Sequence, residues 1–125
     1  MDETWRFQAH EYIERIVHAT AQAFNASADV DILVGYPALL NHDAPTNFVR
    51  DAAHAYVGAE KTIELDKWFA SEDFAFYLQQ VPGAFYRIGT GKPAPVHTPT
   101  FDIDEEALTT SVGFMAYLAL THRAA

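Results

Sequence analysis

Residues 29–34 read Asp29-Val30-Asp31-Ile32-Leu33-Val34, DVDILV, and the class of the fold turns on them. Polar and apolar side chains alternate there, the period of a strand with one buried face. Both flanks carry a helical period instead. From about Glu3 to Phe24, the residues Trp5, Ala9, Tyr12, Ile13, Ile16, Val17, Thr20, Ala21 and Phe24 recur on one face, with Asp2 placed to cap the helix. Beyond the turn Gly35-Tyr36-Pro37, Asp43 as cap and Pro45 in the first turn open a second helix. Its apolar face is Phe48, Val49, Ala52, Ala53, Tyr56 and Val57, and Gly58 ends it.

The rest of the chain keeps alternating. Thr62 to Leu65 reads as a short strand, Ser71 to about Gln80 as a helix capped by Ser71 and stopped by Pro82-Gly83, and Ala84 to Ile88 as another strand. A proline-punctuated loop leads to a last helix from Asp104, capped by that carboxylate, with Leu108, Val112, Met115, Leu118 and Ala119 as its buried stripe. Helices and strands in alternation predict an α/β fold. The 29–34 strand has no neighbour in its own part of the sequence, so it is an edge on both sides. The turn residues between Gly35 and Asn41 mark a domain boundary.

Composition narrows the partners. A net charge of -9 with only 8 basic residues argues against nucleic acid and against anionic membranes. The longest apolar run, Val112 to Leu120, is well short of the ~20 residues of a membrane span. The absence of cysteine removes disulfides, thiolate metal sites and cysteine nucleophiles, and a cytoplasmic location is the expectation.

His97 is the side chain with the most pointed setting: it stands between Pro95 and Pro99, with Phe101 placed to anchor the loop on the core. A neutral imidazole held in a restricted loop suits a metal ligand or an acid–base group, although a lone loop histidine is more often a solvated surface residue. Glu72 and Asp73 follow Ser71 at a helix start, where they stabilise the dipole or line a cleft that faces a cation. Gly91, in Gly89-Thr90-Gly91, permits close backbone approach to a ligand but lacks the spacing of a phosphate loop. His10, Glu14 and His18 share a helix face. The outer two lie ~12 Å apart along the axis, so they do not share one ion. His42, His54 and His122 form no usable pattern, and no Ser/His/Asp set is visible; no catalytic residue is assigned.

The run WFASEDFAFYLQQVPGAFYRIGTG from Trp68, followed by VHTPTFDIDEEAL from Val96, resembles the C-terminal end of the aminoacylase, hippurate hydrolase and indoleacetyl-amino-acid hydrolase group. That group belongs to the wider family of carboxypeptidases and amidohydrolases with two adjacent metal ions. The earlier GYPALLNHD, from Gly35, is similar to the family's return from its smaller domain into the catalytic domain. The resemblance implies part of a zinc-peptidase-like α/β catalytic domain over 42–125. It implies the second half of a ferredoxin-like lid, which is also the dimerisation domain, over 1–41.

Several expectations follow from the resemblance. His97 falls on the family's metal-ligating histidine, and Glu72, Asp73 and Gly91 become neighbours of the site. The divalent ion would be zinc, manganese, cobalt or nickel. The substrate would be an N-acyl amino acid or peptide-like amide, and the assembly a homodimer through 1–41. The family's other metal ligands, its His-x-Asp motif and its paired glutamates have no counterpart in the sequence, so the chain is expected to be a C-terminal segment without amidase activity of its own. The alternative is a truncated, non-catalytic module that self-associates, or one that complements a separate N-terminal half.

Overall fold

In the computed structural model, residues 2–92 and 94–122 are described. Helix α1 spans Glu3–Ala23, α2 Asp43–Val57, α3 Phe74–Leu78 and α4 Glu105–Thr121, with a 3-10 turn at Ala59–Lys61. Two units form: Met1–Leu40 with Phe69–Gln80, and Asn41–Trp68 with Val81–Ala125.

In the first unit, Asp2 caps α1 by accepting from the Trp5 N–H at 3.1 Å. At the other end Asn25 takes a left-handed φ of 54°, and the bonds Ala26 N–H to Ala21 O and Asn25 N–H to Gln22 O complete a Schellman motif. Val30, Ile32 and Val34 line a groove with Phe7, His10, Glu11 and Glu14 of α1, while Leu33 is 92% exposed. The period-2 alternation is therefore real, but residues 29–34 join no strand.

Among the described residues, neither 62–65 nor 84–88 forms a strand either. The α/β order expected from the sequence is not seen. A strand exists only beside a second backbone, and here side chains bond the backbone at Tyr36, Ala38 and Phe85. Glu3 accepts from the Ala38 N–H at 2.8 Å, and Arg6 donates to the Tyr36 carbonyl at 2.8 Å. In the second unit, the Asn41 amide donates to the Phe85 carbonyl at 2.9 Å and accepts from the Phe85 N–H at 2.7 Å.

Three further expectations are corrected. His42, not Asp43, is the N-cap residue of α2, and its Nδ1 accepts from the Gly83 N–H at 3.2 Å instead of capping the helix. Helix α3 begins at Phe74 and not at Ser71, so Ser71 caps nothing and Glu72 and Asp73 precede the first turn. The stripe of α4 is largely inverted, with Leu118 alone of its five residues half-buried. Phe114, 6% exposed, is the buried residue, whereas Leu108, Val112 and Met115 lie on an uncovered face. Residues 108, 112, 115 and 119 share one side of the helix, and the side opposite, with Gly113, Phe114 and Tyr117, meets α2.

That contact is aromatic. Tyr56 lies 5.7 Å from Phe114 and 5.4 Å from Tyr117, ring centre to ring centre, and Tyr86 reaches Phe114 edge-on at 5.3 Å. Phe48 meets His122 at 5.4 Å, so α2 and α4 run antiparallel. Arg50 pairs with Glu64 at 2.7 Å and the Arg87 guanidinium sits 3.9 Å over the Trp68 ring, which ties down the 62–68 segment. Much apolar surface stays in water, with Leu33, Phe69 and Leu120 among the most exposed side chains.

Gly113 is where α4 admits the Tyr56 hydroxyl; a Cβ there would overlap it. Alanine gains about 1 kcal/mol over glycine inside a helix, but overpacking costs ~1–3 kcal/mol, and withdrawal of the Tyr56 ring would disturb its contacts with Phe114 and Tyr117. Gly113→Ala is expected to lower the thermal midpoint, and adding Tyr56→Phe to recover part of the loss. A higher midpoint for Gly113→Ala alone would contradict this packing.

Tyr36 ties α3 to the first unit. Its ring lies 5.7 Å from Phe76, and Asp73, by hydrogen bonding first and by charge second, holds its phenol above the ordinary 10.0. A raised folded-state value means that the stabilising contribution is present below pH 10.0 and is lost as pH climbs through the folded value. Difference titration of phenolate absorbance against Tyr36→Phe should show the raised value, and Asp73→Asn should bring it down. No change on Asp73→Asn would remove that pairing.

Candidate functional site

The 89–104 segment carries the candidate site. His97 adopts a left-handed φ of 64°, a region that residues with a Cβ enter at a cost of roughly 1–2 kcal/mol. Such strain collects at functional positions. Around it the Thr98 hydroxyl donates to the Pro95 carbonyl at 2.8 Å, and the Phe101 N–H donates to the Thr98 carbonyl at 3.0 Å. The imidazole is exposed, as a group that is to meet a ligand must be.

Phe101 does not anchor this loop in the core as the sequence suggested; it is 41% exposed. The fixed point lies at the loop's base. The Asp104 N–H donates to the Thr90 carbonyl at 2.7 Å, and the Asp104 carboxylate caps α4 by accepting from the Glu106 N–H at 3.1 Å. Gly91 stands beside this contact with a φ of 72°.

Gly91 and His97 thus share the second unit, in one loop, while Glu72 and Asp73 belong to the first. Glu72 is half-buried, its carbonyl accepting from the Ala75 N–H at 3.1 Å; Asp73 is exposed and engaged with Tyr36. Among the described residues, no three His, Asp or Glu side chains gather where an ion could sit. His18 is exposed on α1, 3.9 Å from Glu14, whereas His10 lines the groove with Val30, Ile32 and Val34. The chain's own residues therefore do not fit a catalytic ion by themselves, since such a site takes about three protein ligands.

Sequence reasoning missed the roles of Tyr36, Asn41 and His42. An amide and an imidazole just ahead of a helix start are a recognisable pair of turn-bonding side chains, but their partners Gly83 and Phe85 are some forty residues away in the chain. No helix of the described chain is long and apolar enough to cross a membrane.

The chain matches the family described as peptidase family M20/M25/M40 over residues 5–121. YhaA of Bacillus subtilis (strain 168), named as an amidohydrolase, is 34% identical over 126 residues, covering 97% of this chain and 32% of its own. N-acetyl-L-cysteine deacetylase of the same strain is 35% identical over 114 residues, 91% of this chain and 27% of its own. IAA-amino acid hydrolase ILR1-like 4 of Arabidopsis thaliana is 29% identical over 121 residues, 90% of this chain and 28% of its own. The chain spans about three-tenths of the length of these curated relatives. No solved structure matches it. The resemblance carried by the motifs around His97 thus extends over nearly every residue, and the chain belongs to peptidase family M20/M25/M40.

Proposed function

We propose that this chain is the C-terminal segment of a metal-dependent amidohydrolase acting on N-acyl amino acids or related amides, with His97 as one ligand of its ion. The observation that carries the reading is the family match over residues 5–121, joined to relatives whose names include a deacetylase and an amino-acid-conjugate hydrolase. The family is generally dependent on divalent metal ions. When bound, such an ion polarises an amide carbonyl and activates water. This chain's contribution is narrower: it holds one imidazole outward on a strained turn.

The surface of α4 supports the segment reading. A helix apolar on both sides belongs in the interior of a larger domain, and α4 has Phe114 on one side and Leu108, Val112 and Met115 on the other. In this reading residues 1–41 are the second half of a ferredoxin-like lid, and 42–125 the C-terminal part of a zinc-peptidase-like domain. The identity of the metal, among zinc, manganese, cobalt and nickel, follows from ligands that this chain does not supply.

One imidazole does not hold a catalytic ion, so purified chain with N-acetyl-L-cysteine and each of those four metals in turn is expected to show no turnover. Metal-dependent hydrolysis that disappears in His97→Ala would overturn this.

A second reading has its own observation. Trp5 and Ile16 of α1 are 54% and 61% exposed, an apolar stripe suited to a second copy of the chain. A non-catalytic module that self-associates through α1 and residues 30–34 would be a dimer by light scattering, dissociated by Ile16→Glu. A monomer at millimolar concentration rules it out.

A further inference from the structure

We propose that Gly91 and Asp104 are the positioning residues of the His97 loop, acting as a neck that sets the imidazole's backbone. The inference rests on the reading of His97 as a ligand. The neck itself stands on geometry. The two ends of the loop meet where the Thr90 carbonyl accepts from the Asp104 N–H at 2.7 Å, at the short end for such a bond. Burial holds the loop only in part: Pro95, Val96, His97 and Phe101 are exposed, and Ala94, Thr98 and Ile103 are half-buried. The neck closes it.

Gly91 fits the neck for two independent reasons. Its φ of 72° is one that a side chain resists. A Cβ on it would also lie 2.9 Å from the Asp104 Cβ, closer than such atoms come. Asp104 cannot yield readily, since its carboxylate caps α4 through the Glu106 N–H and α4 is packed on α2. One residue therefore closes the loop and starts the helix, so the His97 turn is referenced to the α2–α4 pair. Gly89 provides the contrast: a Cβ there meets nothing within 4 Å.

The test is NMR on the full 125-residue chain. In Gly91→Ala the Asp104 amide should exchange with solvent about tenfold faster or more, and His97 should lose the strong intraresidue HN–Hα contact of a left-handed residue. Helicity by circular dichroism should stay at the parent level. Gly91→Asn accepts the left-handed backbone but still brings a Cβ, so it should open the neck too, whereas Gly89→Ala should leave both signals unchanged. An Asp104 amide unprotected in the parent, or a His97 turn unmoved while that amide opens, overturns the proposal. One imidazole does not hold Zn²⁺ by itself, so the ligand reading is tested separately by the reading frame upstream of Met1: no His-x-Asp motif there removes that reading, while the amide and turn signals still report on the neck.

Discussion

Asn41 holds both backbone groups of Phe85 with one amide, at 2.9 Å and 2.7 Å, and the second unit is organised outward from that contact. His42 adds a second pair of bonds to Gly83, through its backbone N–H and its Nδ1. The 83–85 segment is thereby fixed to the start of α2, and Tyr86 is delivered onto Phe114 of α4. From the other side Tyr56 of α2 closes on the same ring. With α4 seated, its cap residue Asp104 has a defined place, and the loop bearing His97 is drawn shut against Thr90. The imidazole at the end of this sequence of contacts has few others of its own.

The first unit solves the same problem in the same way. Among the described residues no second strand pairs this segment, and the charged side chains of Glu3 and Arg6 bond the part-buried Ala38 N–H and the exposed Tyr36 carbonyl. Such side-chain rungs satisfy the backbone but cover little apolar surface. Among the described residues the buried apolar ones are few for a chain that is half hydrophobic, Ala75 and Leu78 in the first unit and Ala52 and Phe114 in the second. The uncovered sides of α1 and α4 carry the remainder.

The helices were legible in the sequence because their signals are local. Asp2 and Asp104 cap α1 and α4 as their positions suggest, and Gly58 ends α2 with a φ of 95°. The alternation at 29–34 was also legible as a pattern of faces, yet a strand needs a partner that local pattern does not supply. The stripe of α4 was misassigned for a related reason. With apolar residues all round, periodicity cannot say which side meets a neighbour, and a glycine opposite a tyrosine decided it. The prominence of His97 came from its flanking prolines. The neck that holds its loop depends on the meeting of Gly91 and Asp104, which no short window of sequence contains.

The central claim is that His97 belongs to a metal site whose other ligands lie elsewhere in a longer polypeptide. Reading the source DNA for a few hundred codons upstream of Met1 tests it most directly. The account predicts an open frame that carries a His-x-Asp motif and a pair of adjacent glutamates. A stop codon close upstream, with a start signal of its own at Met1, would contradict it and leave His97 with no ion to hold.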